Sequence, residues 1–350
     1  MPDRRAADVL IVSLGSTEGL RRADIQLLRA IEDAGVSAEL ASAAPPPPRR
    51  TLMATDLVWA RAARRAALEA LRGLPRAPRA VIYSSTTAAL LWPRAGAIRF
   101  DATASANRPG RHGLWQRPLE RRRLAQAPLL LPWSEGALAE APAPAREGGR
   151  ALVLPVAVEP SGPGPSTGAG QTREIAALTY AANPRKKGLD RVLEAWLALR
   201  AEMPAGRSRE LLVAGTSAAE CAHARIAIPQ GEGIRLLEPI SSEDYRALVR
   251  RARVFVCAPR REDYGIAQLE ALADGCQLVT TPAPGPYAAL PIARSLDARL
   301  VGEDLLSCLR AALLHPSPTY SARAADALAP FRPSAVDRLV AEELLPRLLA

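Results

Sequence analysis

Lys186 and Lys187 stand side by side in the stretch NPRKKGLD and are the only lysines of the chain. Of its 46 Lys and Arg residues, the other 44 are therefore arginine. A compact ammonium on a flexible stem suits a phosphate approached end-on, where a planar guanidinium fits less well. A second pair of chemistry-bearing residues lies downstream, Glu262 and Glu270, with seven residues between them in VFVCAPRREDYGIAQLEALADGCQLVTT. The pattern predicts a buried strand, a charged loop carrying Glu262, and a helix that starts near Gly265 and ends at Gly275. A helix start beyond a strand end offers backbone N–H groups and the positive end of a dipole to an anion. Glu270 lies further along that helix, roughly 6–8 Å away at a rise of ~1.5 Å per residue. That is about the span from a diphosphate to a ribose, so the two carboxylates could hold both ends of a nucleotide sugar. No aspartate lies two positions from another, so a D-x-D pair for a divalent cation is absent. The expectation is no metal and no cofactor, with the charge of a bound diphosphate left to cationic side chains and helix dipoles.

The elements that must position these residues follow from alternating apolar runs and amphipathic stretches. VLIVSL (9–14), VSAEL (36–40), AVIYSS (80–85), AIRF (97–100), LLLP (129–132) and ALVLPV (151–156) read as strands of a first half. IAALTYAA (175–182), ELLVAG (210–215), GIRLLEP (233–239), VFVCAP (254–259) and QLVTT (277–281) read as strands of a second. Helical patterns between most of them argue for parallel sheets covered on both faces. PSGPGPSTGAGQTR (160–173) suits no regular element and reads as a linker. The expected organisation is residues 1–158, a linker at 159–173, a second domain at 174–331, and a helix in 332–350 packing back toward the first. Two doubly wound α/β domains would then carry their ligand loops at the carboxyl ends of the strands, facing a central cleft.

Composition narrows the classes. Hydrophobic residues make up 48% of the chain, ample for two cores. Cys221, Cys257, Cys276 and Cys308 lack C-x-x-C spacing and read as buried free thiols of a reducing compartment. The N-terminal apolar run is short and soon followed by Glu18 and Arg21, so it reads as a strand and not a signal peptide. No apolar stretch approaches the ~20 residues that span a bilayer. The net charge of +10 is concentrated: residues 1–150 hold 23 arginines against 14 acidic residues, a net +9. Such asymmetry suggests an anionic partner, unless the arginines merely solvate helix faces.

Residues 254–286 resemble the E-x7-E signature of retaining family 4 glycosyltransferases of the GT-B fold. In that family an E-G-F-G loop leads into a helix ending L-E-A-M-A-x-G. Here the corresponding residues are Glu262-Asp263-Tyr264-Gly265 and Leu269-Glu270-Ala271-Leu272-Ala273-Asp274-Gly275. NPRKKGLD occupies the place of the family's basic K-G patch. The resemblance covers the C-terminal half specifically, and the N-terminal half only by element order and length. It implies a GT-B fold and a nucleotide-sugar-dependent, hexosyltransferase-type enzyme that retains anomeric configuration without a metal. Glu262 and Lys187 would be catalytic. Glu270, Arg185, Lys186, Tyr264, Gly265, Ile266 and Gly15 would bind the donor. The family's arginine five residues before the lysine is replaced by Ala182, and Arg185 is the candidate second cation.

The acceptor side departs further, because Asp101 stands where the family has a strand-end histidine. His112 is a substitute, though a lone loop histidine is commonly incidental. Arg108, Arg111 and Arg117, with Trp115, offer a site for an anionic acceptor or lipid headgroup, a solvated basic loop being the competing reading. Expected partners are a nucleotide-sugar donor and a lipid, glycan or small-molecule acceptor. The expectation includes peripheral contact with an anionic membrane, a cytoplasmic location at its inner face, and no nucleic acid. The alternative from another class is a non-catalytic, arginine-rich binding protein on the same scaffold.

Overall fold

The computed structural model describes residues 6–108, 110–146, 149–162, 173–203, 209–229, 231–237 and 239–350. Most of the stretch expected to be a linker, residues 163–172, lies outside the described residues. The chain forms two compact units, one from Met1–Ala157 with Pro330–Ala350 and the other from Val158–Ala329.

Unit 1 holds five strands: β1 (Val9–Ser13), β2 (Ala38–Ser42), β3 (Ala80–Tyr83), β4 (Ala97–Phe100) and β5 (Leu130–Pro132). All pair in parallel in the order β2-β1-β3-β4-β5. The central strands are buried along their whole length, as a parallel sheet covered on both faces requires. Helix Glu18–Asp33 starts where Thr17 accepts the Leu20 N–H, and helix Leu52–Gly73 starts in the same way at Thr51 and Ala54. ALVLPV contributes only an isolated bridge, Ala151 to Leu130, although the Leu152 and Leu154 N–H groups donate to the carbonyls of Leu130 and Pro132. Pro155 has no N–H to continue such a ladder, so the run stays extended at the sheet edge. The C-terminal residues form one helical stretch with a π-turn at Val340–Leu344. Its Val336, Val340, Leu344 and Leu345 join Val9, Ile11, Leu27 and Ile31 in one core.

Unit 2 repeats the plan with β6 (Ile175–Tyr180), β7 (Leu211–Ala214), β8 (Ile234–Leu236), β9 (Ala252–Cys257) and β10 (Gln277–Thr280). The order is β10-β9-β6-β7-β8, again parallel throughout. Trp196 and Phe255 are among its largest fully buried side chains, and all four cysteines are buried and free. Among the described residues, no helix is long and apolar enough to cross a membrane.

The strand orders fix where ligands can bind. Chain direction across the sheet reverses between β1 and β3 in unit 1, and between β6 and β9 in unit 2. At such a switch point the two following loops diverge and leave a crevice beyond the strand ends.

Candidate active site

The crevice of unit 2 is bounded by the loop Ala181–Gly188 after β6 and the loop Ala258–Gly265 after β9. Asn183 turns the first loop in the left-handed region (φ 64°), accepting the Lys186 N–H on its Oδ1 at 3.1 Å. Gly188 closes it at φ 66°, where a Cβ would stand 1.8 Å from the Ala258 carbonyl oxygen. Glycine is therefore needed both for the backbone angle and for the approach of this loop to the end of β9. Arg260 ties the loops together. Its N–H donates to the Lys186 carbonyl, its guanidinium to the Arg185 carbonyl, and two further bonds of 3.0 and 2.7 Å reach Asp190. Those bonds hold the Asp190 carboxyl below its usual range.

The lysine pair meets an acid pair across this crevice. Lys187 Nζ lies 2.7 Å from Glu262 Oε2, and Lys186 Nζ lies 2.8 Å from Asp263 Oδ2. Glu262 is buried, and its Oε2 also accepts from Gln268 Nε2 at 3.0 Å. Both bonds fall on one oxygen, so Oε1 is the carboxylate atom left to accept from a ligand hydroxyl. Asp263 additionally takes the Arg261 Nε–H at 2.8 Å. Burial alone would push the Asp263 carboxyl up, but Lys186 and Arg261 outweigh it and bring it below the ordinary value. The helix Ile266–Ala273 begins beside this cluster with Gly265 at φ 92° and no side chain capping its first turn. Those first-turn N–H groups are the ones a helix leaves without internal partners. Tyr287 packs under Gly265, where a Cβ would come within 2.9 Å of the ring, and its hydroxyl bonds Thr280 at 2.9 Å.

Other residues named from the sequence fall as follows. Glu270 is buried on the helix Ile266–Ala273, with Oε1 3.2 Å from Arg246 Nη1, and Arg246 also bonds Asp274 at 2.8 Å. It belongs to this second charge cluster with Arg246 and Asp274. Arg185 is exposed and engaged through its carbonyl, while Tyr264 has a buried side chain and Ile266 is half-buried. Gly15 lies in unit 1 after β1, at φ 53°, where its carbonyl accepts from Arg21 at 2.9 Å.

In unit 1, Asp101 and Arg108 line one pocket. Arg111 and His112 are exposed in the 3-10 turn Gly110–Gly113 and do not line it. Arg108 grips Asp56 with two bonds of 2.8 and 3.1 Å, and Arg117 donates to the carbonyls of Gly113 and Gly110. Arg108 and Arg117 thus direct these donors onto the protein itself, whereas Arg111 stays exposed on the turn. Sequence reasoning did not single out Gln268 or Arg246, nor Asp56, Gln116 and Glu120 in unit 1. Asp263 carried a signal, a second acid adjacent to Glu262 that mirrors the doubled lysine.

A model of the family described as glycosyl transferases group 1 matches residues 175–304, about a third of the chain. No curated protein matches. Sucrose-phosphate synthase from Thermosynechococcus elongatus superposes with a TM-score of 0.68 at 15% identity, covering 95% of this chain and 96% of that one. The fold is GT-B. WaaG, a glycosyltransferase involved in lipopolysaccharide biosynthesis, aligns at TM-score 0.63 and 16% identity over 95% of this chain and 99% of its own. The pneumococcal O-GlcNAc transferase GtfA, solved with UDP and GlcNAc, aligns at 0.53 and 12% identity over 77% of this chain and 57% of that one. On this GT-B scaffold the Lys187–Glu262 pair sits at the unit 2 switch point, inside the segment that the family model matches.

Proposed function

We propose that this chain transfers a glycosyl group from a nucleotide-sugar donor to a hydroxyl of an acceptor, with retention at the anomeric carbon. The observation that carries the reading is the 2.7 Å contact of Lys187 with Glu262 beside an uncapped helix start. The family match over residues 175–304 supports it, as does the UDP complex of the GtfA relative. In the reaction, the bond from the anomeric carbon to the donor phosphate oxygen breaks and a bond to the acceptor oxygen forms on the same face. The departing phosphate oxygen takes the acceptor's proton. Lys187 and the N–H groups after Gly265 stabilise the negative charge that grows on the diphosphate, the preorganised arrangement that lowers such barriers most. Glu262 Oε1 accepts from a sugar hydroxyl and fixes the sugar's orientation. Glu270, held by Arg246, accepts from the ribose. No metal is needed in this scheme, since an ammonium and a helix end supply the positive charge.

The test is a thermal-shift and calorimetric screen of sugar nucleotides, followed by NMR of the product's anomeric configuration. A true donor at a hundred times its Kd adds about 2.7 kcal/mol of stability. Absence of a shift with every sugar nucleotide, or a product of inverted configuration, would sink the reading.

A further inference from the structure

Unit 1 has a crevice of its own at the β1/β3 reversal. The loops after β1, β3 and β4 open onto a pocket of about 130 Å³ that Asp56, Arg108, Gln116 and Glu120 also line. Every one of these residues lies within unit 1.

The polar groups of the wall are unbalanced in a way that specifies a ligand. Arg108 directs Nε and Nη2 at Asp56, and Nη1 at the carbonyl and side-chain oxygens of Asn107. Gln116 donates its Nε2 to Asp56 Oδ2 at 2.8 Å. Its Oε1 is buried and has no hydrogen-bond partner, on a residue only 1% exposed. Both oxygens of Glu120 lie on the Ala104 N–H, at 2.8 and 2.9 Å, and the Thr86 hydroxyl also donates to this carboxyl, which leaves part of its acceptor capacity open. The donors of Arg108 and Gln116 are thus turned onto Asp56 and Asn107, while Gln116 Oε1 remains an unmatched acceptor, and buried acceptors of this kind are normally matched. The charges agree, since Arg108 is neutralised by Asp56 while the Glu120 carboxyl has no directly bonded cation. Burial pushes that carboxyl up to about 7. An incoming anion would meet Asp56 and Glu120 with Arg108 already committed.

We infer that this pocket binds a small polyhydroxylated molecule that is uncharged or carries an ammonium group, its donors meeting Gln116 and Glu120, and that it discriminates against phosphorylated ligands. The binding stands on unit 1 alone. Only the ligand's role as glycosyl acceptor rests on the transfer reading above.

The experiment is calorimetry on the full chain without any sugar nucleotide, at pH 7, with glucosamine, glucose and glucose 6-phosphate as probes. Glucosamine should bind tightest and glucose 6-phosphate at least about tenfold more weakly than glucose, the scale of one charge-assisted bond. Glu120→Gln keeps the shape and an oxygen for the Ala104 N–H, so it should fold normally and lose the preference for glucosamine over glucose. Gln116→Met should weaken both sugars alike, with thermal unfolding checking that the variant is folded. Glucose 6-phosphate binding as well as glucose, or an unchanged amine preference in Glu120→Gln, would overturn the inference. So would failure of both neutral and amino sugars to bind a protein that still binds a sugar nucleotide, an outcome that leaves the transfer reading standing.

Discussion

Replacing Lys187 with alanine separates a catalytic cation from a structural clamp. At 2.7 Å from Glu262, and with an effective dielectric constant of about 20, the gross attraction is about 332/(20 × 2.7), or roughly 6 kcal/mol. Desolvation of the two partly buried groups offsets most of that. Glu262 retains its bond from Gln268, so the expected loss of folding stability is only about 1–3 kcal/mol. The effect on turnover should be larger, because a preorganised charge is worth most where charge develops. Removing one such donor typically lowers kcat by about 10²–10³. The assay is the initial rate of nucleoside diphosphate release at saturating donor, with calorimetry giving donor affinity separately. A second variant, Glu262→Gln, completes a double-mutant cycle. If Lys187 only steadies Glu262, adding Lys187→Ala to Glu262→Gln costs no further rate. If Lys187 bears on the departing diphosphate, most of its effect survives in that background. A kcat within twofold of the parent in Lys187→Ala would refute the assignment.

Four further outcomes are expected. Glu270→Ala should weaken nucleotide binding about 10–100-fold by calorimetry, the scale of one hydrogen bond to a charged group, with kcat changed less than KM; an unaltered affinity removes Glu270 from the donor site. Gly188→Ala should lower the thermal midpoint and donor affinity together, since its Cβ would collide with the Ala258 carbonyl in a left-handed backbone, costing at least ~2 kcal/mol. Glu120 has a folded pKa raised to about 7 from 4.5, so its contribution is most favourable below the unfolded value and is lost as pH rises through that window. The parent should lose up to about 3 kcal/mol relative to Glu120→Gln between pH 4.5 and 7 in denaturant titrations, and parallel pH profiles would show that burial does not penalise the carboxylate. Finally, a chelator should leave the transfer rate intact, and a clear loss that divalent cations restore would overturn the metal-free scheme.

How far the sequence alone reaches depends on the range of each interaction. The central strands β1, β6 and β9 were legible because strands buried on both faces read as unbroken apolar runs. Gly265 and Glu262 could be placed at a strand-to-helix turn for the same local reason. That Lys187 and Glu262 share a site came from the family resemblance and not from local pattern, because their meeting joins residues 75 apart and depends on β9 adding beside β6 instead of beside β8. Asp56 with Arg108 and Gln116 is a similar case, spanning 52 and 60 positions. ALVLPV misled because an apolar composition with β-branched residues marks an extended segment, whereas ladder membership depends on backbone partners and on where proline falls.

The charge of unit 1 shows what composition hides. A net +9 in the first half reads as an invitation to an anion. Yet Arg99 is buried against Asp24, and Arg108 grips Asp56. Arg64, Arg94, Arg123 and Arg150 each donate to backbone carbonyls at loop and helix ends, on Leu91, Pro78, Leu90 and Ala125. A guanidinium has five donors in a fixed plane and no acceptor, so in a chain with two lysines it takes over the satisfaction of carbonyls that helices and turns leave without partners. Each arginine used in this way keeps its charge but turns donors inward, so the net charge of the half does not by itself mark an anion site. The two lysines stand apart from that role: both ammoniums are aimed at carboxylates across the unit 2 crevice, where an arriving diphosphate would compete with Glu262 and Asp263 for the same positive charge.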